Sequence, residues 1–232
     1  MVMATRPPIA DDEWYHCYNR GVDKRLVFMD ERDCERFLLL LFLCNDTDSR
    51  VDLRELEHIH TLETFLARRE YVRGAPLVEI GAYALMQNHI HIILKQYEEN
   101  GIGLFMQKVF TGYTMYFNKK CARTGALFAG SYKSKHISKD DYFKQAIQYV
   151  LLNPIELFEP NWKKGVGNIR AIEKRLREYR YSSLPDFFGR KRPEARITGD
   201  IRSEYFDSVP SLGRMLAEAQ AYYRENAKYL ER

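Results

Sequence analysis

Apolar residues along this chain fall into short runs of two periods, and the alternation between those periods predicts the order of its elements. Residues 14–19 (WYHCYN) are aromatic and run into Arg20-Gly21, which reads as a strand closed by a turn. Residues 30–44 read as a helix, with Asp30 as its N-cap and Phe37, Leu40, Leu41 and Leu43 among its apolar positions. Residues 45–75 turn charge-rich, and a weak helical pattern through Leu53, Leu56, Leu62, Phe65 and Leu66 predicts an inserted helical arm. Two apolar runs follow, 77–86 and 89–94, separated only by Gln87-Asn88, the kind of short polar connection that joins antiparallel strands.

Helical spacing returns over 103–118, and residues 133–138 alternate like an exposed strand. Residues 140–153 read as a helix that must end before Pro154, because the proline ring disfavours helical backbone at the residue preceding it. The resulting order, β-α-β-β-α-β and then a helix, predicts an α+β fold of the ferredoxin-like split βαβ type, with an antiparallel sheet. Beyond it, 161–181 is basic and helical in part, 182–200 (SSLPDFFGRKRPEARITGD) reads as a linker, and 211–230 as a final amphipathic helix. The expected organisation is a principal domain over 1–160 with its arm at 45–75, a basic extension over 161–190, and a linker with a C-terminal helix over 191–232.

Composition narrows the class. With 232 residues, 45% of them hydrophobic, the chain can bury a substantial core. Its longest apolar run, 37–44 (FLLLLFLC), is too short to cross a bilayer, and the N-terminal stretch lacks the apolar segment of a signal peptide. A soluble, cytoplasmic protein with no membrane partner is therefore expected. Cys17, Cys34, Cys44 and Cys121 include no CxxC pair, which argues against a zinc ribbon or a disulfide framework.

A net charge of +4 separates little, but its distribution says more. Residues 100–139 contain no Asp or Glu, yet they hold Lys108, Lys119, Lys120, Arg123, Lys133, Lys135 and Lys139. Phe105, Phe110, Tyr113, Tyr116, Phe117, Phe128 and Tyr132 are interleaved with them. Aromatics among cations suit a surface that stacks bases and contacts phosphates; at helical spacing they equally suit a core beneath a solvated basic face. On the first reading the DNA-contacting candidates are Lys108, Lys119, Lys120, Arg123, Tyr132, Lys133, Lys135 and His136. Lys133 and Lys135 should lie on one side of an edge strand, Ser134 and His136 on the other.

The chemistry-bearing residues are fewer. On a strand, His89 and His91 project from one face while Ile90, Ile92 and Leu94 project from the other, so the two imidazoles can share one metal ion, although the same spelling also arises by chance. His58-Ile59-His60 has the same spelling but lies in the charged arm, where helical geometry would turn the two rings about 200° apart, so these read as surface histidines. Tyr149 and Asn153, four residues apart, share one face of the helix before Pro154; taken alone, Tyr149 equally reads as a packing residue and Asn153 as a helix terminator.

These segments resemble the single-tyrosine HUH transposases, most of all the REP-associated tyrosine transposases. The resemblance rests on four motifs in order: YHCYNRG at 15–21, MQNHIH at 86–91, GALFAGSYKS at 125–134 and YVLLNP at 149–154. It implies a ferredoxin-like fold and metal-dependent cleavage and joining of single-stranded DNA near hairpins. It assigns His89 and His91 to the metal, with Asn153 as third ligand and Mg²⁺ or Mn²⁺ as the ion; ligand softness alone equally allows zinc. Tyr149 becomes the nucleophile. Gln87 stands where many members have Pro, a departure outside the ligands. The wider family includes dimers that exchange the tyrosine helix, while closer relatives look monomeric, so a monomer is expected here, with a homodimer as the alternative. Two rivals remain: a catalytically idle single-stranded nucleic-acid binder, and a metal-dependent nuclease that uses water and has no need of Tyr149.

Overall fold

The computed structural model describes residues 9–48, 56, 58–68, 74–138 and 140–230. Its elements follow the predicted order: β1 (Trp14–Arg20), α1 (Glu31–Leu43), α2 (Leu62–Arg68), β2 (Val78–Met86), β3 (His89–Gln96), α3 (Gly101–Lys120), β4 (Lys133–Ile137) and α4 (Asp140–Leu152). The strands form one antiparallel sheet in the order β2-β3-β1-β4. Each βαβ unit is thus split by a strand of the other, as a ferredoxin-like fold requires.

Local chemistry sets the boundaries. The Asp30 carboxylate accepts from the Asp33 backbone N–H at 3.1 Å and caps α1. Gln87-Asn88 turns β2 into β3, and α4 stops at Leu152, with residues 153–157 continuing as a short 3₁₀ turn around Pro154.

The sheet has two covered faces. On one, Tyr15, Cys17, Ile90, Ile92 and Leu94 pack against α1 and α3. α1 is buried nearly all round because the arm covers it as well: Leu56, Ile59, Leu62 and Phe65 are at most 5% exposed within the same core. That second cover explains the unbroken run FLLLLFLC. Leu53 of the arm lies outside the described residues. The expected helix through His58 and His60 does not form; both sit in irregular chain ahead of α2, exposed, while Ile59 between them is buried.

On the opposite face, Trp14, Ala82, Ala84 and Ile93 meet Phe143, Ile147, Val150 and Leu151 of α4. This approach depends on small residues. The β2–β3 register shifts between Ile80 and Ala82, and a Cβ at Gly81 would lie 3.0 Å from Trp14 and 3.1 Å from both Ile147 and Ile93. Glycine at that bulge lets the helix settle onto the sheet.

The chain after α4 completes this layer and is no linker. It forms α5 (Ile169–Glu178), α6 (Leu184–Phe187), α7 (Ala195–Thr198), α8 (Ile201–Tyr205) and α9 (Leu212–Leu230). Residues 181–183 run along the free edge of β2, where Leu85 N–H donates to Tyr181 O at 3.0 Å and Ser183 N–H to Tyr83 O at 3.0 Å. Ser182 and Ser183 are fully buried, and Leu184, Phe187, Ile201, Leu212 and Met215 join the α4 core. The serine, proline and arginine content that suggests a linker instead serves short turns held by long-range contacts.

Candidate active site

Strand register assembles the site. His89 lies opposite Arg20 and His91 opposite Tyr18, with Ala84 on the other side of His91. His16, two residues before Tyr18, therefore projects from the same face. Across this face lies α4, and its Tyr149 ring stands edge-on to two imidazoles, 5.6 Å from His91 and 5.6 Å from His16. The His89 and His91 rings are 5.0 Å apart, and those of His16 and His91 are stacked at 5.0 Å. Three residues singled out from sequence thus come together, with a third histidine among them.

Hydrogen bonds orient the rings. His16 Nε2 and His91 Nδ1 are 2.9 Å apart, and His89 Nδ1 is 2.6 Å from Asn88 Oδ1. Nε2 is the nitrogen that remains on each of His89 and His91. Asn153 is 3% exposed at the start of the 3₁₀ turn, and its Nδ2 donates to Tyr149 O at 3.0 Å. Its amide hydrogen bond is thus made within its own helix end, to neither histidine, and leaves Oδ1 as the atom with ligand chemistry.

The electrostatics are those of neutral imidazoles in a cationic surrounding. Burial, and then the Lys135 ammonium, push His16 down to about 4. Burial, followed by Arg20 and Lys163, brings His89 to about 4 as well. His91 is held well below its ordinary value by burial first, then by His16, His89, Arg20 and Lys163. At neutral pH all three rings carry one proton and one lone pair, ready to act as ligands or hydrogen-bond acceptors. Arg20, Lys135 and Lys163 supply a positive field suited to an anion.

The basic stretch divides in two. Lys133 and Lys135 are exposed on β4, opposite Tyr18 and His16, so they flank the histidine face. Ser134 and His136 point to the other side, as alternation predicts; His136 lies beside Tyr15 and is 3.1 Å from a Glu13 carboxylate oxygen. Lys108, Lys120 and Arg123 belong to the α3 side of the sheet and are engaged within the fold. Lys108 donates to Asp46 O at 3.0 Å, and Lys120 pairs with Asp30 at 2.7 Å and Asp33 at 2.6 Å. Arg123 donates to Asn118 and to Ala126 O. Lys119 is exposed in the last turn of α3, and Lys139 lies outside the described residues.

The aromatics of this stretch are core. Phe105, Tyr113, Phe117, Phe128 and Tyr132 are at most 8% exposed, and Phe110 and Tyr116 pack half-buried against them. Tyr132, expected to stack on bases, is 8% exposed and belongs to this core.

His16, Arg20 and Lys163 are the site residues that sequence reasoning missed. Strand alternation over 14–19 does place His16 with Tyr18, but its nearness to His91 depends on β1 pairing with β3 across seventy residues of chain. Among the described residues, no group of three or more His, Cys, Asp or Glu side chains is arranged to hold a metal ion, so a metal here would rest on two imidazoles and a carboxamide. No described helix is long and apolar enough to cross a membrane.

No protein-family model matches the chain, and no curated protein matches it significantly. Among solved structures it is similar to a REP-associated tyrosine transposase bound to a REP hairpin, at 13% identity and a TM-score of 0.40, covering 84% of this chain and 90% of that one.

Proposed function

We propose that this chain cleaves and rejoins single-stranded DNA through a covalent bond between Tyr149 and a DNA phosphate. The observation that carries the reading is the convergence of Tyr149 with His91 and His16, 5.6 Å from each ring, on a sheet face framed by cations. A phenol beside neutral imidazoles in a positive field is suited to attack on a phosphodiester.

Arg20, Lys133, Lys135 and Lys163 bind and orient the phosphate, offsetting charge that grows on its oxygens during attack. Tyr149 Oη forms the new bond to phosphorus as the bond to the 3′ oxygen breaks, leaving a phosphotyrosine and a 3′-hydroxyl. Because a phenol of ordinary pKa, about 10, keeps its proton at neutral pH, the surrounding cations must favour the phenolate. The phosphotyrosine conserves the phosphodiester's energy, so a second 3′-hydroxyl can attack it and restore a continuous strand. Strand transfer uses the same residues in reverse.

His89 Nε2, His91 Nε2 and Asn153 Oδ1 would supply a mixed nitrogen and oxygen donor set for a divalent ion; the sequence motifs favour Mg²⁺ or Mn²⁺, and ligand softness alone equally allows zinc. When bound, such an ion supplies Lewis-acid stabilisation of the phosphate. The sequence motifs at 15–21, 86–91, 125–134 and 149–154 favour substrates with hairpins, and a role in transposition or the processing of REP-type elements. Action as a monomer belongs to this reading because the closer relatives that the motifs resemble look monomeric.

The test is incubation of end-labelled, hairpin-bearing single strands with Mn²⁺, resolved on a denaturing gel for wild type and Tyr149→Phe. Wild type should shift label into a protein-linked band and the variant should not. Equal cleavage by both, without protein-linked label, would favour a nuclease that uses water. Binding without cleavage by wild type would favour an idle binder.

A further inference from the structure

A histidine holds a metal through one ring nitrogen, and which nitrogen is free depends on what the other bonds to. Asn88 Nδ2 donates to Lys24 O at 3.2 Å, and a carbonyl can only accept. That contact fixes the Asn88 amide with Oδ1 towards His89, 2.6 Å from Nδ1. Oδ1 can only accept too, so His89 Nδ1 carries the ring proton and Nε2 keeps the lone pair. The neighbouring ring lacks such a one-way partner. Between His91 Nδ1 and His16 Nε2, 2.9 Å apart, either nitrogen can be the donor.

We propose that His16 and Asn88 are positioning residues that commit His91 and His89 to the same tautomer, each with Nδ1 protonated and Nε2 open. The proposal rests on the reading of His89 and His91 as metal ligands. His16 must then accept through Nε2, which places its own proton on Nδ1. If the bond ran the other way, His91 Nε2 would carry a proton and could not be a ligand. His16 also stacks on His91 at 5.0 Å, so it fixes the plane of the ring as well as its proton. Asn88 and His16 reach the site from a turn and from β1, and they act on the two ligands separately.

The experiment uses the full chain with ¹⁵N-labelled histidine, free of metal, and long-range proton–nitrogen spectra that tell protonated from unprotonated ring nitrogens. Wild type should show protonated Nδ1 and unprotonated Nε2 on both His89 and His91. His16→Phe keeps a stacked ring but removes the acceptor, so the His91 pattern should change alone; Asn88→Ala should change that of His89 alone. Mn²⁺ affinity, measured by calorimetry, should fall by roughly 10- to 100-fold in each variant. His16→Gln, whose amide oxygen can accept from His91 Nδ1, should recover most of the affinity.

An unprotonated Nδ1 on His91 in wild type would overturn the proposal, whatever the fate of the variants. So would wild-type Mn²⁺ affinity in a folded His16→Phe. Wild-type Mn²⁺ affinity in His89→Ala and His91→Ala would instead overturn the metal reading itself, and the tautomer spectra would still stand.

Discussion

Arg192 offers the sharpest test of how the chain beyond α4 is fastened to the sheet. Its guanidinium donates to both Asp186 oxygens at 2.6 and 2.7 Å, to Tyr83 Oη at 3.1 Å, and to the carbonyls of Arg180 and Ser182. The two side chains of the ion pair are 7% and 8% exposed. Arg192→Met keeps much of the apolar stem but strands a buried carboxylate and two carbonyls. Removing one partner of a buried pair costs about 3–5 kcal/mol, which in a domain of this size lowers the melting temperature by roughly 10 °C. Burial raises the Asp186 carboxyl above its ordinary value, and the hydrogen bond from Arg192 opposes that rise. Without Arg192 that rise should grow.

A carboxyl with its folded pKa above the unfolded one loses stability as pH climbs through that interval, so the deficit should be largest at pH 7 and shrink towards pH 4. Urea denaturation of both proteins at the two pH values measures this through the shift in midpoint. The double variant Arg192→Met, Asp186→Leu should recover part of the loss, because no charge is left buried. A deficit below about 1 kcal/mol at pH 7, or one equal at both pH values, would refute the argument.

Three further outcomes are expected. Gly81→Val should crowd Trp14, Ile147 and Ile93, costing about 1–3 kcal/mol and moving α4 off the sheet; cleavage should fall more than oligonucleotide affinity, as gel and anisotropy assays would show. In metal-free protein, His16 and His89 are near 4 when folded and about 6.5 when unfolded. The unfolded chain therefore binds more protons between those values, so urea midpoints should be steady above pH 6.5 and fall towards pH 4. The size of that fall is on the order of 3 kcal/mol per histidine, and His16→Gln should flatten the profile. Lys133→Ala and Lys135→Ala should each weaken single-strand binding and reduce the salt slope by about 0.7 for every phosphate left without its cation, whereas Lys120→Ala should lower stability and leave the slope unchanged.

The sheet and the helices flanking it were legible because their signals are local. The Gln87-Asn88 turn, the Asp30 cap and the stop before Pro154 each act within a few residues, and alternation alone puts His89 and His91 on one face. What escaped was set by distant partners. α1 reads simply as a capped helix with an apolar run, and it is buried nearly all round because Leu56 and Phe65 cover its second side. Residues 182–200 look like a linker because nothing local announces that residues 181–183 will pair with β2. The same limit applies at the site. Tyr149 and the two histidines were named from sequence, but His16, Arg20 and Lys163 join them through strand pairing and the return of the chain after α4. The aromatics of 100–139 carried two readings of equal weight at the level of sequence, and burial decided for the core.

The central claim is a covalent Tyr149–DNA bond, and it is tested most directly by mass spectrometry of the trapped complex. Wild-type protein incubated with a hairpin-bearing single strand and Mn²⁺, digested with nuclease and protease, should yield one peptide, containing Tyr149, heavier by a nucleotide phosphate. An adduct on any other residue, or strand cleavage with an unmodified Tyr149 peptide, would contradict it.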